Sequence, residues 1–229
     1  MGRPLIVAID GPAGAGKSTV SRLLARRLGL SLVDTGAIYR CVALAAGRSS
    51  IVLEDDAGLG TLLPRLKISF KVVGEENRVY LDGEDVSSAI RTPEISMGAS
   101  RVSSRPVVRD GLLSVQRRLA LESERGAVLE GRDIGTVVFP DADVKFFLEA
   151  NPEVRARRRF EELFQKGVES SITDVLADQQ KRDRADSERE VAPLKAAEDA
   201  VRIDSSALPL SEVVHALETR VQALLDARG

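Results

Sequence analysis

Short apolar runs alternate with amphipathic stretches along this chain. The runs cover residues 5–9, 30–33, 127–129, 144–148 and 201–203, and each contains at most one polar residue. The first, residues 5–9, is short and uninterrupted, which is typical of a strand that is buried on both faces of a sheet. Because helical stretches separate the runs, the pattern predicts an α/β fold with a doubly wound sheet of five parallel strands flanked by helices.

Signals for helix boundaries agree with this pattern. Apolar residues recur at helical spacing after Lys17, and Gly29 is placed to end that helix. A second helix is predicted over residues 37–46, again followed by a glycine. Pro106 fits the first turn of another helix, and Asn151-Pro152-Glu153 combines a capping residue with a proline at the first helical position.

One segment has a different character from the rest of the chain. Residues 66–73 and 78–81 are rich in β-branched side chains, and Gly74-Glu75-Glu76-Asn77 separates them. This order predicts a β-hairpin, with a further turn at Asp82-Gly83. We therefore expect a single domain that contains a small antiparallel insertion at about residues 62–91.

Composition narrows the class of protein. The 229 residues are 43% hydrophobic, and 33 basic against 35 acidic residues leave a net charge of −2. A net charge this close to zero does not indicate a nucleic-acid partner. A single cysteine, Cys41, excludes an internal disulfide, and no apolar run approaches the length of a membrane span. The expectation is a cytoplasmic protein that does not associate with membranes.

The most informative motif directly follows the first apolar run. Residues 11–18 match the pattern G-x-x-x-x-G-K-[ST] between a predicted strand and a predicted helix. In such a loop backbone N–H groups converge on phosphate oxygens, the lysine reaches the β- and γ-phosphates, and the serine hydroxyl can ligate Mg²⁺. The residues predicted to bind ATP here are Gly11, Pro12, Ala13, Gly14, Ala15, Gly16, Lys17, Ser18 and Thr19.

Three arginine-bearing clusters accompany this loop, at residues 34–40, 131–133 and 182–189. The first two follow predicted strands, and ligands bind beyond the carboxyl ends of strands in open parallel sheets. The planar fork of arginine pairs bidentately with phosphate oxygens. Several such donors suit the charge that spreads over a phosphoryl group during transfer.

Two other readings of the phosphate loop remain open on these residues alone. One is a different P-loop kinase acting on another nucleotide or a small metabolite, and the other is a nucleotide-binding module without turnover. A GTPase is disfavoured, because Asp55-Asp56-Ala57-Gly58 mimics its D-x-x-G motif but no Asn-Lys-x-Asp motif follows anywhere. The number of arginines argues against the inactive module, since a sensor needs no second phosphate site.

Beyond these motifs, the chain closely resembles the bacterial cytidylate kinases of the nucleoside monophosphate kinase family. The resemblance is carried by residues 34–40, 131–142 and 189–194 together with the phosphate loop. Residues 83–92 also resemble the lobe that this family inserts in its monophosphate-binding region. The resemblance covers nearly the whole chain and implies a P-loop kinase that phosphorylates CMP or dCMP with ATP.

The resemblance also implies roles for individual residues. Arg40, Arg132 and Arg189 would hold the acceptor phosphate and the group in transfer, with Lys17 on the donor side. Cytosine presents an amino donor beside ring acceptors, which suits a carboxylate and an arginine as its readers. The residues implied to bind CMP are Thr35, Arg40, Ser100, Arg109, Arg132, Asp133, Arg182, Asp186 and Arg189.

Further implications concern the metal and the lid. Ser18 would ligate Mg²⁺, and Glu130, where some members have aspartate, would hold it through water. A short lid is implied at about residues 152–170, in which Arg155 and Arg159 share one helix face and close on ATP. The expected partners are CMP and dCMP, with no nucleic acid, and the expected state is a monomer.

Overall fold

The structure is a computed structural model that describes residues 3–165 and 167–227. The strands are β1 (Leu5–Asp10), β2 (Ser31–Asp34), β3 (Ile68–Val73), β4 (Glu76–Leu81), β5 (Glu84–Asp85), β6 (Gly126–Gly131), β7 (Val144–Glu149) and β8 (Val201–Asp204). The helices are α1 (Lys17–Leu28), α2 (Thr35–Arg48), α3 (Asp56–Leu62), α4 (Pro93–Ser103), α5 (Pro106–Leu121), α6 (Pro152–Gln165), α7 (Ile172–Glu188) and α8 (Leu210–Asp226).

The five predicted apolar runs are the five strands of one sheet, in the order β2-β6-β1-β7-β8. Parallel pairing aligns β1 with β7 and β7 with β8. A second sheet has the order β3-β4-β5. The predicted fold class is therefore confirmed. The chain forms two compact units, one of residues 5–30 and 128–227 and one of residues 3–4 and 31–127.

In the first of these units the core lies along β1, β7 and residues 128–131 of β6. All six residues of β1 are buried, and so are these four residues of β6. Helix α1 buries Val20, Leu24 and Ala25 on one side. It ends where Gly29 adopts a φ of 65°, and the N–H of Leu30 then bonds back to the carbonyl of Ala25.

In the second unit, residues next to the helix boundary explain where helix α2 begins. Helix α2 begins at Thr35 because the Asp34 carboxylate accepts a hydrogen bond from the N–H of Ala37 at 2.8 Å. The expected end before a glycine was wrong, since the helix continues to Arg48.

The hairpin forms as predicted but with a shorter turn. Strand β4 begins at Glu76, so Gly74-Glu75 alone connects it to β3, and Gly74 has a φ of 63°. The second turn follows the expected Asp-Gly chemistry, because Asp82 and Gly83 both have positive φ, at 52° and 90°. Both turns lie inside the predicted insertion.

None of the helices in the described part of the chain combines the length and the apolar character that a membrane crossing requires.

Substitution of Phe146 tests the packing of the central strands. Its side chain in β7 is 1% exposed, whereas Phe164 on α6 is 76% exposed. We expect Phe146→Ala to lower the free energy of unfolding by about 3–5 kcal/mol, because it removes buried contacts and leaves a cavity. Phe164→Ala, the matched control, should change it by less than about 0.5 kcal/mol. Urea denaturation measures both, and equal losses would contradict the placement of the core.

Candidate active site

The phosphate loop joins β1 to α1 in a conformation that requires glycine at two points. Gly11 has a φ of 148°, and a Cβ there would lie 1.9 Å from the carbonyl oxygen of Leu148. Gly14 has a φ of 77°, and its Cβ would lie 2.7 Å from Nε2 of Gln179. A side chain at Gly11 would therefore push the loop away from β7, whereas one at Gly14 would strain the backbone and displace the side chain of Gln179.

Lys17 lies at the start of α1 and is almost completely buried. Its ammonium donates to the carbonyl of Pro12 at 2.7 Å. Burial, and next repulsion from Arg132, lower the pKa of Lys17 to about 7, although Glu130 and Asp10 act in the opposite direction. A bound polyanion would favour the charged form of Lys17, because its negative charge would attract both Lys17 and Arg132.

Ser18 and Glu130 face each other at the carboxyl end of the sheet. The Ser18 hydroxyl donates to Oε2 of Glu130 at 2.8 Å, and Glu130 is buried at the end of β6. Hydroxyl and carboxylate oxygens are the donors that Mg²⁺ prefers, and this ion normally keeps several water or phosphate ligands. The pair therefore fits the predicted ion, although the described residues contain no group of three or more acidic, histidine or cysteine side chains placed to hold a metal.

Asp10 is a site residue that the sequence analysis did not select. Its buried carboxylate accepts hydrogen bonds from the N–H groups of Ile134 and Gly135, each at 2.8 Å. Burial raises the pKa of Asp10 to about 6, although the two hydrogen bonds act in the opposite direction. The contact fixes the segment after Arg132 against the end of β1. Its position directly before the phosphate loop was the only available signal.

Arg132, Asp133, Asp186 and Arg189 form one cluster, which we call the arginine cluster. The Arg132 Nε donates to Oδ2 of Asp186 at 2.9 Å. The Nη atoms of Arg189 lie 3.8 Å from Asp133 and 3.9 Å from Asp186. The four residues come from the segment after β6 and from the end of α7, so the structure brings together residues predicted separately. Arg182 lies half-buried on α7.

Arg155 and Arg159 have different surroundings although they share a helix face. The Arg155 guanidinium is buried and donates to the carbonyls of Ala13 and Ala150, at 2.8 and 2.9 Å. It also pairs with Asp183 at 2.7 Å. Arg159 instead pairs with Glu162 on the protein surface. The sequence predicts an ATP contact for both arginines, and Arg159 has the accessible guanidinium of the two.

The remaining predicted residues lie in the unit of residues 31–127. Arg40 pairs with Asp34 at 3.0 Å, and its buried Nε has no hydrogen-bond partner among the described residues. Arg109 is buried, donates to the carbonyl of Ser103 at 3.0 Å, and stacks 5.7 Å from the ring centre of Tyr39. Thr35 is buried at the start of α2, and Ser100 is half-buried on α4.

Asp10→Asn should change how stability depends on pH. Folded Asp10 keeps its proton up to about pH 6, whereas the unfolded chain releases it near 3.8. Between these values ionisation favours the unfolded state, so wild-type stability should fall relative to the variant by up to about 3 kcal/mol as pH rises from about 4 to about 7. Urea denaturation of both proteins across this range measures the difference. A difference that stays constant would contradict the raised pKa of Asp10.

Comparison with known proteins shows the family of the chain. A family model described as cytidylate kinase matches residues 7–223. A cytidylate kinase of Geobacter sulfurreducens is 55% identical, over 96% of this chain and 94% of the relative. Cytidylate kinases of Azotobacter vinelandii, at 45% over 96% of each chain, and Pasteurella multocida, at 43% over the whole of both, are also similar.

The match is nearly full-length in each case, and the predicted family and kinase activity are confirmed. This chain is a member of the cytidylate kinase family.

Proposed function

We propose that this protein transfers the γ-phosphoryl group of ATP to the phosphate of CMP or dCMP, giving ADP and CDP or dCDP. The observation that supports this most directly is the proximity of two phosphate-binding groups. Lys17 of the phosphate loop is close enough to Arg132 of the arginine cluster for repulsion to lower its pKa. A donor phosphate beside Lys17 and an acceptor phosphate beside Arg132 would satisfy both cations.

The reaction needs no histidine base. The acceptor phosphate is already an anionic nucleophile, and phosphoryl transfer depends mainly on positioning and on stabilisation of charge. In this proposal Lys17, Arg132 and Arg189 hold the group in transfer. Arg132 and Arg189 would exchange their present carboxylate partners for phosphate oxygens, which can bind the guanidinium fork through two parallel hydrogen bonds.

On the donor side, the loop residues from Gly11 to Thr19 would bind the ATP phosphates, and Arg159, whose guanidinium is accessible, would contact them as the lid arginine. Ser18 would ligate Mg²⁺ and Glu130 would hold it through water. When bound, the ion supplies positive charge to the donor phosphates. Family membership supports ATP as donor.

On the acceptor side, the proposal assigns the cytosine edge to Ser100, Arg109 and Asp133. Arg40 and Thr35 would bind the acceptor phosphate region, and Arg182 and Asp186 the ribose. The cation–π contact of Arg109 with the Tyr39 ring supports its role, because it restrains the guanidinium. These roles rest on the family, and Thr35, Arg109 and Asp133 are also buried within their own units.

We also propose that two segments close over the substrates. The insertion at about residues 62–91 would act as the lobe that closes over CMP, and residues 152–170 as the lid over ATP. Closure would exclude water and so limit hydrolysis of ATP. We further propose that the protein is cytoplasmic and monomeric. The buried thiol of Cys41, which has no disulfide partner, is consistent with a reducing compartment.

A substrate panel tests the reaction. Release of ADP is measured with ATP and each of CMP, dCMP, UMP, AMP and shikimate. We expect kcat/KM for CMP or dCMP to exceed the others by at least about tenfold, because a site with buried polar readers rejects unmatched bases strongly. A tenfold preference for UMP or AMP would overturn the assignment. Tight ATP binding without CMP-dependent turnover would indicate the inactive nucleotide-binding module.

Asp133→Ala tests the division between donor and acceptor. Loss of a charged hydrogen-bond acceptor for the base should lower kcat/KM for CMP by about 10–100-fold while the Kd for ATP changes by less than about twofold. Titration calorimetry with ATP and steady-state kinetics with CMP give the two quantities. Equal losses on both sides would refute the assignment of Asp133 to the acceptor, and Asp133→Asn, which keeps one acceptor oxygen, should recover part of the activity.

A further inference from the structure

Two carbonyl groups of the phosphate loop are held from outside the loop. The carbonyl of Ala13 accepts from Nη1 of Arg155 at 2.8 Å, and the carbonyl of Ala15 accepts from Oγ of the buried Ser205 at 3.2 Å. In a planar trans peptide the C=O of one residue points opposite to the N–H of the next. Fixing these carbonyls therefore fixes the directions of the N–H groups of Gly14 and Gly16, two donors of the predicted phosphate-binding loop.

Arg155 itself is immobilised by three separate acceptors. Besides Ala13 it donates through Nε to the carbonyl of Ala150, just beyond β7, and through Nη2 to the carboxylate of Asp183 on α7. The side chains of this pair are 5% and 22% exposed. Gln179, one turn earlier on α7, donates to the carbonyl of Arg155 at 3.2 Å. A guanidinium bound in this way serves as a fixed support for the loop.

Helix α7 carries the other end of this support and also part of the arginine cluster. Asp183 and Asp186 are three residues apart, so they lie on neighbouring positions of one helix face. Asp183 binds Arg155, while Asp186 binds Arg132 at 2.9 Å. One helix thus holds both the loop and the arginine that would meet the transferred phosphate.

We propose that Arg155 is a positioning residue of the phosphate loop, with Asp183 holding it in place, rather than a direct ligand of ATP. The inference rests on the proposed function, because it gives the loop ATP as its ligand. It changes the role that the sequence predicts for Arg155 and leaves Arg159 as the lid arginine. It also predicts that removing the negative charge of Asp183 weakens the binding of an anion.

The effect of Asp183→Asn on ATP binding distinguishes a positioning role of Arg155 from direct contact with the phosphates. If Arg155 touched the phosphates, Asp183→Asn would remove a competing negative charge and free the guanidinium, so ATP would bind more tightly or equally well. If Arg155 positions the loop, the same change loosens Arg155 and the Ala13 carbonyl, so ATP binds more weakly. Arg155→Lys keeps the charge but offers one ammonium in place of the planar fork that serves three acceptors.

The test uses full-length Arg155→Lys, Asp183→Asn and the double variant. Arg27→Lys and Glu218→Gln are matched controls, because Arg27 and Glu218 form another arginine–carboxylate pair between helices, at 2.7 Å, away from the loop. Calorimetric titration with ATP gives Kd, and steady-state kinetics give KM for ATP and for CMP separately. Thermal unfolding shows that each variant is folded.

We expect Kd and KM for ATP to rise about tenfold in Arg155→Lys and about fivefold in Asp183→Asn. KM for CMP should change less than about twofold, and the double variant should be no worse than Arg155→Lys, because the residues act as one unit. The controls should match the wild type.

Tighter or unchanged ATP binding in Asp183→Asn would overturn the inference, as would losses that multiply in the double variant. If Arg155→Lys does not fold, the direction of the change in Kd for ATP in Asp183→Asn decides the question by itself. A wild-type protein that binds ATP but does not phosphorylate CMP would defeat the proposed function, while the ATP titrations would still decide the inference.

Discussion

Positive charge held away from water at the end of a buried strand is the constraint on which this structure depends. Lys17 is 7% exposed, and Arg132 lies close enough to lower its pKa. An isolated buried charge is costly, so cations at such depth require acidic partners or a ligand. Asp10, Glu130 and Asp186 supply the acidic side, and the phosphates of a nucleotide would supply the rest.

This constraint explains the close packing around the loop. The backbone must approach β7 so tightly at Gly11 that no side chain fits. Two carbonyls of the loop are then held from outside it, by Arg155 and by Ser205. Donors held in place before the ligand arrives lose little freedom on binding, which is the basis of electrostatic preorganisation in catalysis.

Local patterns predicted much of this. The five strands, the first helix with its glycine end, and the Asp82-Gly83 turn each depend on a few adjacent residues, and each appears in the structure. The expected hairpin turn was too long, because β4 pairs with β3 from Glu76 onwards, opposite Val73. Longer-range packing also produced a feature that no local pattern predicted. The short π-helical segment at Ile134–Val138 begins where Asp10 binds it from another strand, a contact no local pattern encodes.

By itself the sequence determined the family, the α/β fold and the phosphate loop, because glycines, a lysine and a serine at fixed spacing act through adjacent backbone. Tertiary structure alone decided the surroundings of each arginine. Arg155 and Arg159 look equivalent one helical turn apart, but one is buried against a carbonyl 142 residues away and the other lies at the surface. Side-chain chemistry is local, whereas burial and partners depend on which distant elements pack together.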